Sequence, residues 1–361
     1  MKYIDEYRNK DLVLKLKDQI YQSVRHDYTF MEVCGGHTSA IHRFGIPALL
    51  PGNVKLLSGP GCPVCVTGTD YIDKSIVYSK TEKIIICTFG DLLRVPGSNS
   101  SLEKEKAAGA DIRIVLSALE ALGIARINPE KKVIFLGIGF ETTAPGTAVT
   151  IKLAEKDNIN NFYILSAHKV MPPAMEAIIK EGINLDGFIC PGHVATITGS
   201  SAFNFIPDKF NLSCVIAGFE PIDILQSILM LIRLVNRNTP GVEIQYNRAV
   251  TADGNRIAQK HLYEIFEPGD AHWRGLGIIP FSGLLLRKDF ERFNIEKTMP
   301  LRIDFPETNK RCICGDILRG LKTPEECTLF ADICFPENPQ GACMVSNEGT
   351  CNTWHKYRHI K

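Results

Sequence analysis

Apolar residues along this chain fall into short runs, each closed by a turn and followed by residues at helical spacing. Leu12, Leu16, Ile20 and Val24 recur every four positions and predict an amphipathic opening helix. Phe30–Val33 then reads as a strand, and Thr38 or Ser39 can cap a helix running to Phe44 before Pro47 and Pro51 break the chain. Val54–Leu57 is the next strand, followed by a helix that starts at Thr69 or Asp70 and carries Ile72, Ile76 and Val77. Lys83–Thr88, Ile112–Leu116 and Val133–Ile138 continue the series, with a helix over Ala118–Ala125. Tyr163–Leu165, Phe188–Cys190 and Cys214–Ala217 extend it. Alternation of this kind predicts parallel sheets flanked by helices. The expected fold is therefore α/β, with a first domain over 1–129, a second over 130–240 and a join near Pro129. Beyond Pro240 the alternation is lost. Ala249–Phe266 reads as a helix or an extended arm and Trp273–Gly277 as a turn, so 241–361 is expected to be a connecting arm and a loop-rich, cysteine-rich domain.

The chain has 361 residues, 45% of them hydrophobic, enough to bury real cores without covalent staples. Its 41 basic and 40 acidic residues leave no global field, which argues against nucleic acid and anionic lipid as partners. Met1–Lys17 is studded with charge and lacks the apolar core of a signal peptide, and no apolar run reaches the ~18 residues of a membrane span. The expected location is cytoplasmic. In such a reducing compartment, twelve cysteines point to metal ligation or redox chemistry rather than a disulfide framework.

The chemistry concentrates in loops after strands, where open α/β sheets place their sites. Cys34-Gly-Gly-His37-Thr38 follows one strand and Gly59-Pro-Gly-Cys62-Pro-Val-Cys65 the next. Glycine and proline around Cys62 and Cys65 build a turn, and thiols before a helix start suit disulfide chemistry or a soft metal. Cys87, Cys190 and Cys214, set among apolar residues, read instead as small buried hydrophobes. Asp91 and Arg94 lie three apart in a turn and fit either a local ion pair or a site role. Gly137–Gly146 lacks the third glycine of a dinucleotide loop, and Glu141 would oppose a phosphate; Thr142 or Thr143 more simply caps the next helix. His168 and His193 both fall in loops after strands and could share a cleft. In the tail, Cys312, Cys314, Cys327, Cys334, Cys343 and Cys351 are separated by turns. Zinc would usually bring paired Cys-x-x-Cys knuckles, which are absent, so an iron–sulfur cluster is the preferred reading over zinc and plain burial.

Taken together, these segments resemble the HypD family, whose members help assemble the iron centre of nickel–iron hydrogenases. The likeness rests on the Cys34 and Cys62 motifs, Thr88-Phe-Gly-Asp-Leu-Leu-Arg-Val-Pro-Gly97, Gly139-Phe-Glu-Thr-Thr-Ala-Pro145, Pro191-Gly-His-Val194 and Gly218-Phe-Glu-Pro221. Trp273-Arg-Gly-Leu-Gly277, Cys312-Ile-Cys-Gly-Asp316 and Met344-Val-Ser-Asn-Glu-Gly-Thr-Cys351 fit as well. The resemblance implies a scaffold for an iron bearing two cyanides and one carbon monoxide, working with a HypC-type chaperone and receiving cyanide from a HypE-type donor. It implies that Cys34, Cys62 and Cys65 are iron-binding or redox thiols with His37 beside them. It also implies a four-iron, four-sulfide cluster in the tail. Cys312, Cys327, Cys334 and Cys351 are the first choice of ligands, Cys314 a substitute for Cys312, and Cys343 the least needed. His193 is expected in the same cleft, supported by Asp91, Arg94, Glu141, Thr142, Thr143, His168 and Glu220. The competing readings are a cluster-dependent thiol–disulfide reductase, in which Cys62 and Cys65 turn over, and a passive binding module.

Overall fold

In the computed structural model, which describes residues 5–301 and 311–358, the apolar runs become strands in the predicted order. They are β1 (Tyr28–Glu32), β2 (Val54–Ser58), β3 (Ile84–Thr88), β4 (Ile112–Ile114), β5 (Lys132–Gly139), β6 (Phe162–His168), β7 (Gly187–Pro191), β8 (Ser213–Ala217), β9 (Val242–Ile244), β10 (Phe266–Trp273) and β11 (Gly277–Leu286). Two sheets are wholly parallel, one in the order β2-β1-β7-β8-β9 and one in the order β4-β3-β5-β6. β3, β7 and β8 are buried along their whole length. Helices cover both faces of such strands, which is why their sequences are continuous apolar runs rather than alternating ones.

The division near Pro129 does not follow the sheets. β3, before it, pairs with β5, after it, so that β4-β3-β5-β6 form one sheet, while β1 pairs with β7 across nearly half the chain. The second sheet is thus an insertion between β2 and β7. The boundary at 240 also shifts, because β9 lies beyond it and completes the first sheet. Cores on the outer faces of the two sheets flank a larger shared core that contains Met31, Ile86, Leu136 and Phe188.

The segment expected as an arm is a helix, Arg256–Ile265, followed by the antiparallel hairpin β10–β11. The helix packs on Ala144–Lys156, and β11 packs on Met171–Lys180 and β6. The tail is loop-rich, with short helices at Cys314–Leu318, Ala342–Val345 and Thr350–Tyr357. It folds back on the first sheet: Thr350–Tyr357 packs on Gly35–Arg43, and the Trp354 and His42 rings lie 5.1 Å apart. No helix among the described residues is long and apolar enough to cross a membrane.

Candidate functional site

β1 ends at Glu32, and two residues later Cys34 stands at the N-cap of the helix Gly35–Arg43. This helix starts before the caps expected at Thr38 or Ser39, with Cys34 as its N-cap, and the Thr38 hydroxyl instead donates to Glu32 Oε1 at 2.5 Å. The other Glu32 oxygen accepts the Cys34 amide at 3.0 Å. One buried carboxyl group therefore fixes both ends of the Cys34 turn. Burial raises Glu32 to about 7, so it is close to half-protonated at neutral pH.

The Cys62 loop leaves β2 and crosses directly over Cys34. Gly35 donates its amide to the Gly61 carbonyl at 3.0 Å, and a β-carbon on Gly61 would overlap the Cys34 backbone. Only glycine permits this approach. Cys62 is the N-cap of the short helix Pro63–Val66 and is disulfide-bonded to Cys65, with α-carbons 5.3 Å apart. That separation is the usual one for such a bond. Cys87, Cys190 and Cys214 are free and buried, as their apolar surroundings predict.

On the other side of Cys34 lies the tail. A β-carbon on Gly35 would overlap Glu348, the glutamate of the Met344–Cys351 segment. Burial pushes the Cys34 thiol up to about 12, with the Glu348 and Glu32 carboxyl groups adding to the rise. Burial and Asp91 likewise hold Glu348 above the ordinary carboxylate range. A thiol ringed by carboxyl groups stays protonated when alone, and a bound cation would reverse that preference.

His37 is wholly buried. Its Nε2–H donates to the carbonyls of Ala217 at 3.2 Å and Gly218 at 3.0 Å, leaving Nδ1 buried without a partner. Burial lowers it to about 4, so the ring is neutral. Phe219 stacks on His37 at 4.5 Å and on the exposed His193 at 3.8 Å, so its ring lies between the two imidazoles. The same ring contacts Gly36, beside the Cys34 sulfur. Phe219 and Glu348 lie inside motifs that carry the family likeness, but the sequence singles out neither as a site residue, and for Glu32 the signal is a lone glutamate within the apolar run Phe30–Val33.

Asp91 and Arg94 both reach the tail. Asp91 accepts from the Ser346 hydroxyl at 3.2 Å and Arg94 donates to the Pro336 carbonyl at 3.2 Å. The local ion pair is replaced by two contacts between the β3 loop and the cysteine-rich segment. Glu220 stands at the N-cap of the helix Pro221–Arg237 and accepts two hydrogen bonds from Arg8, at 2.5 and 2.9 Å.

The remaining supporting residues lie at the second sheet, and their contacts among the described residues are not with the Cys34 loop. Glu141 is buried and raised to about 7 by that burial; Oε1 accepts the Met171 amide at 2.9 Å and Oε2 has no partner. Thr143 precedes the helix Ala144–Lys156 without a side-chain cap, and Thr142 and Thr143 border a groove with Leu116 and Ile257. His168 is held between Thr147 and Ser166, at 3.3 and 3.2 Å, and burial lowers it to about 3.

All six tail cysteines line one small cavity, closed by Ile317, Leu329, Phe330 and Met344. Cys314, Cys343 and Cys351 are in hydrogen-bond contact through their sulfurs, and Cys312 interacts electrostatically with Cys327, Cys334 and Cys343 as well as with Cys314 and Cys351. Among the described residues no three His, Cys, Asp or Glu side chains converge as ligands of a single metal ion. A cubane cluster makes a different demand, because each thiolate binds its own iron. The thiols around this apolar cavity are of the type that such a demand requires.

This cavity and the disulfide share one core, which includes Cys62, Cys65, Trp273, Cys314 and Cys343. The helices Pro63–Val66 and Ala342–Val345 pack on each other within it.

A family model described as "HypD: Hydrogenase formation hypA family" matches residues 10–358. The chain is 47% identical over 372 aligned residues to hydrogenase maturation factor HypD2 of Bradyrhizobium diazoefficiens, covering 100% of this chain and 98% of that protein. It is 44% identical to hydrogenase maturation factor HypD of Cupriavidus necator, with 100% and 98% covered, and 42% identical to that of Escherichia coli, with 99% and 98% covered.

Proposed function

Because this chain belongs to the HypD hydrogenase-formation family, we propose that it is the scaffold on which the Fe(CN)2CO fragment of nickel–iron hydrogenases is assembled. In this reading the iron fragment is the cargo, a HypC-type chaperone shares it, and a HypE-type donor supplies cyanide. The observation that carries the reading is the position of Cys34, with the Cys62–Cys65 disulfide loop against its backbone at Gly61 and Glu348 against the adjoining Gly35.

Cys34 holds the cargo iron through its thiolate, a ligand suited to a soft centre bearing cyanide and carbon monoxide. Its proton leaves as the metal enters, and the carboxyl groups of Glu32 and Glu348 favour the incoming positive charge. Glu32 keeps the turn fixed by accepting the Cys34 amide and the Thr38 hydroxyl. Phe219, stacked between His37 and His193, forms an apolar wall that limits water at the sulfur. Cys62 and Cys65 act as a redox couple: closing the dithiol to a disulfide releases two electrons and two protons.

Cys312, Cys327, Cys334 and Cys351 would hold a resident four-iron cluster, which supplies one-electron transfer when bound. Cys314 lines the same cavity and is the alternative to Cys312 as the fourth ligand. With Cys312 as ligand, Cys314 and Cys343 remain as additional thiols. A cytoplasmic location belongs to the same proposal, since free thiols of this number suit a reducing compartment.

The test is complementation. A bacterial strain deleted for its own factor should regain nickel–iron hydrogenase activity when supplied with this chain and should stay inactive with Cys34→Ala. Equal recovery by both would overturn the role of Cys34.

A further inference from the structure

The turn between β10 and β11 touches both sulfur-bearing regions at once. On one side Trp273 forms a bridge with Thr67, two residues after Cys65, and the Arg274 amide donates to the Val66 carbonyl at 2.8 Å. The Arg274 side chain adds a third contact, Nε donating to the Thr67 carbonyl at 2.9 Å, while the Thr67 hydroxyl donates back to the Pro63 carbonyl at 2.8 Å. On the other side Gly275, at φ +79°, lies against Gly315, the residue after Cys314, so closely that a β-carbon on Gly275 would overlap the Gly315 backbone.

We infer that Arg274 is a positioning residue for the Cys62–Cys65 couple, fastening the end of its loop to the Cys314 helix and so holding the two sulfurs at bonding distance. This rests on the reading of Cys62 and Cys65 as a redox pair. Arg274 Nη2 is buried without a hydrogen-bond partner. A donor left unpaired in the interior opposes folding, so stability alone does not account for an arginine here. The loop it holds is short and begins with Pro63, whose ring fixes one backbone angle. Fastening the other end at Val66 and Thr67 restricts what remains. Two thiols held near each other close more readily than two on a free loop, because the ordering entropy is already spent. The disulfide is then the form that the clamp favours.

The direction of the effect follows. Arg274→Met keeps the aliphatic stem and removes the Nε contact to the Thr67 carbonyl, loosening the end of the loop while its backbone contacts remain. Gly275→Ala pushes the turn away from the Cys314 helix by an independent route. In both variants the disulfide should become easier to reduce. The equilibrium constant against a dithiol buffer should move about tenfold, or about 30 mV towards positive potential.

The experiment is a redox titration of the full-length protein in dithiol buffers, with the Cys62 and Cys65 states read by alkylation and mass spectrometry. A two-electron step in the wild type that shifts positively in both variants is the expected result. A wild-type step that both variants reproduce at the same potential overturns the role of Arg274 alone. A wild type with no step at all overturns the redox reading beneath it and the inference with it. Arg274→Met leaves every backbone hydrogen bond in place, so the comparison survives if Gly275→Ala folds poorly.

Discussion

Gly61 lies against Cys34 so closely that the loop carrying the Cys62–Cys65 disulfide and the turn carrying the free thiol form one unit. The Gly35 amide and Gly61 carbonyl join the two segments at 3.0 Å. The chemistry proposed at Cys34 would therefore take place beside a disulfide.

Gly61→Ala should separate these segments. Its methyl group meets the backbone of Cys34, which cannot move aside as a flexible side-chain end would. Overpacking of this kind costs about 1–3 kcal/mol. Chemical denaturation should show that loss, and hydrogenase maturation should fall even at temperatures where the variant remains folded. Full maturation by a folded Gly61→Ala protein would show that the close approach is dispensable.

Cys327→Ala and Cys334→Ala should each lower bound iron and sulfide and bleach the brown absorption of the anaerobically purified protein. Cys34→Ala should leave all three unchanged, because Cys34 is not among the cysteines that line the tail cavity. Iron and sulfide contents unaltered by either tail variant would return the cysteines to a structural role.

Glu141 gives a pH dependence with a definite sign. Burial raises it from 4.5 to about 7 in the folded protein, so the folded state holds a proton that the unfolded chain has released. Its contribution to stability is complete below about pH 4.5 and is lost as pH rises through about 7. Glu141→Gln preserves an acceptor for the Met171 amide and cannot ionise. At pH 8 it should exceed the wild type in stability by up to about 3 kcal/mol, with the difference vanishing near pH 4. Glu32, raised in the same sense, remains in the variant, so its pH profile should flatten without becoming level. Parallel wild-type and variant profiles across this range would contradict the assignment.

The strands were legible because parallel strands buried on both faces are written as unbroken apolar runs, of which Val133–Ile138 is the plainest. Their pairing was not. Nothing local to Phe30 indicates that it will lie beside Gly187 rather than beside the strand that starts at Ile84. The thiol loops were legible because glycine and proline around Cys62 and Cys65 rule out a core strand. Glu32 was hidden by its polarity, since a carboxylate ending a strand reads as solvated. Glu348 approaches Gly35, next to Cys34, from more than 300 positions away. The β10–β11 hairpin was hidden because Pro268, Gly269, Pro280 and Gly283 interrupt its alternation and no two-residue glycine turn announces it.

Cys34 is the residue proposed to hold the iron cargo, and everything else at the site is arranged around it. Infrared spectroscopy of the chain purified anaerobically with a HypC-type partner tests this directly, since iron-bound cyanide and carbon monoxide absorb where protein does not. The wild-type complex should show both sets of bands, and Cys34→Ala should lose them while keeping the brown absorption of the tail. Bands of equal intensity in the Cys34→Ala complex would place the iron elsewhere and contradict the proposed role of Cys34.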